Sequence, residues 1–174
     1  TNLVGTNFSN SVTVAGTQTV TPKALTITAT ASNKVYDASN AATVSLSSSD
    51  AVTGDLISYD KTAATFSDAN AALAKTVTAG GLTLSGTDAG NYSLQNTSTT
   101  TTADITPKLV QLTATKTYDG TTSLAINQVT ITTGVGSETL TYSGATLANK
   151  NVANNATNTV DSITLLNGTG ANAG

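Results

Sequence analysis

Ala24 to Thr30 reads Ala-Leu-Thr-Ile-Thr-Ala-Thr, with Leu25, Ile27 and Ala29 on one side of an extended chain and Thr26, Thr28 and Thr30 on the other. This period-two alternation marks a half-buried strand, because successive side chains point to opposite faces of a sheet. It returns in Thr43-Val44-Ser45-Leu46, Thr76-Val77-Thr78, Leu82-Thr83-Leu84, Leu112-Thr113-Ala114-Thr115, Leu140-Thr141-Tyr142 and Ile163-Thr164-Leu165. Helical periodicity is scarce. Asp68 to Lys75 (Asp-Ala-Asn-Ala-Ala-Leu-Ala-Lys) reads as a loop with a short helical turn, too short to hold as a helix by itself. Strands about 8–12 residues apart, separated by Gly, Asn and Asp, predict an all-β chain of two tandem immunoglobulin-like β-sandwich domains.

The pattern also repeats over a longer distance. Thr21-Pro22-Lys23-Ala24-Leu25 matches Thr106-Pro107-Lys108-Leu109-Val110 at an offset of 85, and Lys34-Val35-Tyr36-Asp37-Ala38 matches Lys116-Thr117-Tyr118-Asp119-Gly120 at an offset of 82. Ser58-Tyr59 corresponds to Thr141-Tyr142, Leu82-Thr83-Leu84 to Ile163-Thr164-Leu165, and Gly86-Thr87 to Gly168-Thr169. Gly5-Thr6-Asn7-Phe8-Ser9 resembles Ala89-Gly90-Asn91-Tyr92-Ser93, and each leads through a Thr-rich strand into Thr-Pro-Lys. The repeat is therefore about 84 residues long. Pro22 and Pro107 lack the N–H of a ladder and restrict the residue before them, so each Thr-Pro-Lys is expected to be a hinge between units. Asp37 and Asp119 are read as turn formers that accept nearby backbone N–H groups, Tyr36 and Tyr118 as core or edge aromatics, and Gly86 and Gly168 as turn residues with positive φ.

Composition narrows the chemistry. Among the 174 residues 38 are Thr, and only 10% are charged, against about 25% in ordinary domains. Low charge with much Thr, Ser and Asn also fits a disordered stalk. The alternation decides against that, since β-branched Thr suits the solvent face of a sheet. Cys, His, Met, Trp and Arg are absent. Disulfides, Cys/His metal centres, a His-based triad and c-type haem attachment are thereby excluded. A net charge of −3 makes nucleic acid and anionic membrane poor partners. The apolar runs fall far short of the ~20 residues that cross a bilayer. No nucleophile–base pair or carboxylate dyad is framed by a phosphate loop or elbow, so no catalytic residue is assigned.

The runs Asn33 to Leu46 (NKVYDASNAATVSL), Phe66 to Leu94 (FSDANAALAKTVTAGGLTLSGTDAGNYSL) and Ala103 to Lys108 (ADITPK) resemble the YDG-type repeats of large secreted bacterial adhesins of the filamentous-haemagglutinin kind. The second copy carries Tyr118-Asp119-Gly120 intact, while the first has Ala38 in place of the Gly. It departs from the pattern at 148–160 and at 168–174. The resemblance implies extracellular β-sandwich spacers in tandem arrays at the bacterial surface, serving adhesion, aggregation or biofilm, with no enzyme activity.

On this basis residues 1–22 are a closing strand of a preceding repeat or a donor strand for a neighbouring subunit, 23–107 form repeat 1, and 108–174 form repeat 2 without its last strand. The sequence does not begin with Met, which places its start inside a longer or processed chain. Three arrangements fit. The chain is an excerpt of a longer array; or Asn7, Phe8, Val12, Val14 and Val20 belong to a strand that completes the next subunit, building a head-to-tail filament; or the boundary is permuted, so that about residues 7–78 fold together. The expected function is a stalk or shaft module of an adhesin or fibre. A self-assembling filament subunit is the first alternative, and a ligand- or carbohydrate-binding adhesin domain the second. The partners are neighbouring repeats or subunits and an unidentified host or matrix receptor.

Calcium is the one cofactor the residues suit, through Asp68, Asn70, Asp88 and Asn91, although the second repeat has Asn149 for Asp68 and Gly170 for Asp88. Ordinary Asx turns account for the same residues. Lys34, Lys116 and Asn91 are conceivable members of a Lys–Asn amide staple. Asn-x-Ser/Thr sequons stand at Asn7, Asn91, Asn96, Asn155 and Asn167, several of which arise by chance in so Asn- and Thr-rich a chain.

Overall fold

A computed structural model describes residues 19–152 and 158–169, and they are all-β. In chain order the strands are β1 (Lys23–Leu25), β2 (Thr28–Ala31), β3 (Lys34–Val35), β4 (Val44–Ser47), β5 (Ser58–Asp60), β6 (Ala63–Phe66), β7 (Ala72–Gly80), β8 (Thr83–Ser85), β9 (Tyr92–Leu94), β10 (Ser98–Thr106), β11 (Gln111–Ala114), β12 (Val129–Thr132), β13 (Thr141–Leu147) and β14 (Val160–Leu166). Among the described residues the one helical turn is a 3-10 turn at Ala89–Asn91.

The alternating run at Ala24–Thr30 does bury Leu25 and Ile27 fully, but it is not one strand. β1 pairs parallel with β9 (Lys23 opposite Tyr92), and β2 pairs antiparallel with β4 (Thr28 opposite Ser47). At the break Thr26 donates its N–H to Asp50 Oδ2 at 2.9 Å. The Asn96 side chain takes the place of a neighbouring strand for Ile27: its Oδ1 accepts the Ile27 N–H and its Nδ2 donates to the Ile27 carbonyl, each at 2.9 Å. A chain can therefore change sheet partners here without orphaning a buried peptide group.

The largest sheet has the order β3-β10-β7-β6, with β10 antiparallel to β7 and parallel to β3. Along β7 Lys75, Val77 and Ala79 point inward while Thr76 and Thr78 face solvent. Phe66, Val77, Ala103 and Ile105 form one core cluster; Leu25, Ile27, Ala64, Ala79, Leu82 and Tyr92 form another. The stretch Asp68–Lys75 is thus not a helical turn. β7 begins at Ala72, and the Ala74 N–H is held by Asp104 Oδ1 at 2.8 Å beside the bulge in β10. Pairing with β10 outweighs the weak helical preference of its alanines. β7 pairs with β10, about 30 residues later, and residues 7–18 of the permuted alternative lie outside the described residues.

In the second repeat β11 pairs with β12 and β13 with β14 around Leu124, Val129, Tyr142 and Ala145. The backbone repeats the first half bond by bond. Ala42 N–H to Ala64 C=O recurs as Leu124 to Ala145, Phe66 to Asn40 as Leu147 to Thr122, Ser67 to Thr76 as Ala148 to Thr159, and Asp55 to Val52 as Glu138 to Val135. Gly86 and Gly168 also correspond, though not as the sequence suggests. Gly86 has a φ of 107°, whereas Gly168 is outside the positive-φ region. What they share is close approach: a Cβ on either would collide with a carbonyl oxygen, that of Leu56 or of Thr139.

Candidate functional site

The Lys-x-Tyr-Asp segments fold into the same closed loop in both repeats. Asp37 Oδ1 accepts the Ser39 N–H at 2.9 Å, an Asx turn, and Lys34 Nζ closes the loop on Asp37 Oδ1 at 2.8 Å and the Ser39 carbonyl at 2.6 Å. In the second repeat Asp119 Oδ1 accepts the Thr121 N–H at 2.9 Å, and Lys116 Nζ reaches Asp119 Oδ1 at 2.9 Å and the Ser123 carbonyl at 2.6 Å. The lysine side chains are 18% and 5% exposed, their aspartates about half-exposed. Residue 38 or 120, at the tip, sits at positive φ: 64° for Ala38 and 79° for Gly120. A left-handed residue with a Cβ is strained by roughly 1–2 kcal/mol, partly offset by the extra chain entropy of Gly. Ala38→Gly is therefore expected to stabilise the first repeat by about 0.5–1 kcal/mol and Gly120→Ala to destabilise the second by a similar amount, read from urea midpoints. Opposite signs at the two sites are the outcome that supports this.

The lysine hydrogen bonds hold the aspartates below the ordinary carboxylate range, Asp37 by Lys34, Asp68 by Lys75, and Asp119 by Lys116 to about 2. Folded values below the unfolded value near 3.8 mean that the unfolded chain binds more protons in this range. The contribution is complete above about pH 5 and is lost as pH falls through 4 towards 2. Asp119→Asn is expected to flatten part of the acid-side fall in the urea midpoint. An unchanged slope would assign that fall to other groups.

The Tyr36 ring packs half-buried against the Phe66, Val77, Ala103 and Ile105 core of its own repeat, with its hydroxyl at the rim. Tyr36 O–H donates to Glu138 Oε1 at 2.7 Å, across 102 residues of sequence, and this bond raises the Tyr36 pKa above 10. Around it Pro107, Lys108, Val110, Val135 and Leu140 line a cavity of about 150 Å³. Thr106 ends β10 with its carbonyl on the Tyr36 N–H at 2.9 Å, so the Thr-Pro-Lys segment runs beside a packed contact. Tyr118, the counterpart of Tyr36, is 59% exposed and is not a core aromatic.

The YDG domain, as a family model, matches residues 21–103 and again residues 101–174. The chain belongs to the YDG domain family. No curated protein and no solved structure matches it significantly. In both YDG repeats the signature Asp and the Lys three residues before it thus form a self-contained clip, while the Tyr reaches the other repeat only in the first copy.

The remaining sequence candidates lie apart. Asp68 Oδ1 is engaged by Lys75 Nζ at 2.6 Å and the Asn70 N–H at 2.7 Å; Asp88 Oδ2 accepts the Leu56 N–H at 2.8 Å, and the Asn91 N–H binds the Asp88 carbonyl at 3.0 Å. Among the described residues no three Asp, Glu, His or Cys side chains converge as a metal group. Lys34 and Lys116 turn their ammonium groups to their own loops, not to Asn91. The Asn96 amide is committed to the Ile27 and Ser98 carbonyls, at 2.9 and 3.0 Å, so that sequon presents no free amide. Asn7, Phe8, Val12 and Val14 lie outside the described residues, while Val20 is 93% exposed and Pro22 is exposed. Sequence reasoning missed Asp50, Asp104 and Glu138, and took Asn96 only as a sequon. Only Glu138 carried a signal, as the sole Glu in the chain.

Proposed function

We propose that the chain is a structural spacer: two immunoglobulin-like β-sandwich repeats, residues 23–107 and 108–174, forming part of the stalk or shaft of an extracellular adhesin or fibre at a bacterial surface, in adhesion or biofilm. The Tyr36–Glu138 hydrogen bond carries this reading. It ties two tandem units through a residue of the repeat signature, which is how a stiff array is built rather than beads on a loose string. The antiparallel β10–β7–β6 sheet, with inward residues alternating with solvent-facing Thr, supports the sandwich assignment. A composition poor in charge and free of His and Cys supports a role without catalysis or cofactor.

The chain contains no Cys, so Thr83→Cys and Thr164→Cys place one spin label on each repeat. A narrow interspin distance distribution is expected, broadened by Tyr36→Ala and less by Tyr36→Phe, which keeps the ring packing and removes only the hydrogen bond to the carboxylate, worth about 1.5–3 kcal/mol. A wild-type distribution as broad as that of the Tyr36→Ala variant would sink the spacer reading.

A further inference from the structure

Asp119–Gly120 is the one Asp-Gly step in the sequence, and it stands at the tip of the second signature loop. Asp119 is about half-exposed, Gly120 has a φ of 79°, and nothing lies within 4 Å of a Cβ added to Gly120. The step is thus open to water, and its main chain is not packed against the rest of the fold. These are the surroundings in which an aspartyl peptide rearranges. The Gly120 main-chain nitrogen attacks Asp119 Cγ of the neutral acid. The nitrogen gives up its proton and Cγ its hydroxyl, so one water leaves as a five-membered succinimide closes. Water then opens the ring at either carbonyl. Opening at the side-chain carbonyl restores Asp. Opening at the main-chain carbonyl leaves isoaspartate, with the chain running through the side-chain carbons and no change of mass. Glycine favours closure, because a Cβ on the following residue crowds the attacking nitrogen. The first repeat has such a Cβ, on Ala38.

The clip works against this step. Asp119 Oδ1 accepts the Thr121 N–H, the Thr121 hydroxyl and the Lys116 ammonium, each at 2.9 Å. Lys116 is anchored in turn on the Thr121 carbonyl at 3.0 Å, Thr121 Oγ1 at 2.8 Å and the Ser123 carbonyl at 2.6 Å. Ring closure needs a carboxyl that is neutral and free to turn onto the Gly120 nitrogen, so all three bonds to Oδ1 stand in its way. The same bonds hold the carboxyl at about 2, so near neutral pH it is protonated roughly sixty times less often than at 3.8. We propose that Asp119–Gly120 is a site of spontaneous isoaspartate formation, held in check by the Lys116 clip. Isomerisation inserts a carbon into the main chain between the two residues and takes the carboxylate out of register with Lys116, so the clip does not re-form. The second signature loop is therefore where the chain ages, while Ala38 spares the first.

The test is the isoaspartate content of the 174-residue chain held for weeks near neutral pH, read by enzymatic methyl transfer and located by peptide mapping. Cleavage after lysine frees residues 117–150, in which Asp119 is the sole Asp. Deamidation of Asn127 or Asn149 in that peptide changes its mass, whereas isomerisation of Asp119 does not. Lys116→Met is expected to raise the rate at Asp119 about tenfold or more, towards that of a synthetic peptide of residues 112–125. Circular dichroism follows whether the variant stays folded. Should it unfold, Thr121→Val decides, since it removes only the hydroxyl; a rate no higher than wild type then overturns the role of the clip. Ala38→Gly places an Asp-Gly step behind the Lys34 clip of the first repeat. Isoaspartate at Asp37 is expected to stay slow in that variant and to speed up when Lys34→Met is added. A wild-type rate at Asp119 equal to that of the free peptide, or a folded Lys116→Met variant no faster than wild type, overturns the proposal. A peptide that forms no isoaspartate over the same weeks overturns the site itself.

Discussion

Asn96→Ala is expected to lower the stability of the first repeat by about 3 kcal/mol in urea unfolding followed by circular dichroism. The Asn96 amide is the partner of both the N–H and the carbonyl of Ile27, a residue with no exposed surface. A buried peptide group left without a partner is disfavoured by about 1–3 kcal/mol, and two such groups are created at once. Strands β1 and β2 are held by different partners on either side of this point, β9 and β4, so neither ladder extends over Ile27. Asn96→Asp separates the two bonds. The introduced carboxylate still accepts the Ile27 N–H but faces the Ile27 carbonyl with a lone pair, so its pKa rises on folding. The deficit of that variant is expected to shrink as pH falls from 7 to 4, as protonation restores a donor. A loss below 1 kcal/mol for Asn96→Ala would mean that water replaces the amide and the break is not held by it.

Gly86→Ala is expected to remove about 4 kcal/mol, enough to leave a repeat of ordinary stability close to unfolding. Two effects combine. At a φ of 107° a residue with a Cβ is strained by roughly 1–3 kcal/mol. The new methyl would also collide with the Leu56 carbonyl, a main-chain atom that cannot rotate away, adding about 1–3 kcal/mol of overpacking. That carbonyl is part of a clasp, for Leu56 donates to Asp88 Oδ2 at 2.8 Å and accepts the Asp88 N–H at 3.3 Å. Gly90→Ala serves as the control: its φ is ordinary and nothing lies within 4 Å of an added Cβ. Equal urea midpoints for the two variants would show that the clasp yields freely.

The two signature loops show how far local sequence reaches. Lys34, Asp37 and Ser39 lie within six positions, and so do Lys116, Asp119 and Thr121, so the clip is closed by contacts that the spacing alone permits. Their tyrosines could not be told apart in the same way. Tyr36 meets Glu138 only because a second repeat follows it in space, whereas Tyr118 stands exposed at the same place in its own repeat. The onset of β7 was hidden for a similar reason: its alanines form a strand because β10, about 30 residues later, offers an edge and Asp104 a carboxylate.

The sequence by itself determined that the chain is β, that it contains the YDG repeat twice, and which faces of its strands are buried. An alternation of apolar residues and Thr needs only a pleat with a wet and a dry side to be read, whatever the strand pairs with. Partner choice was decided in three dimensions. Ile27 and Asn96 are 69 residues apart, and Tyr36 and Glu138 are 102 apart. No periodicity encodes such pairs, because each is set by where packing places a main-chain break or a neighbouring repeat.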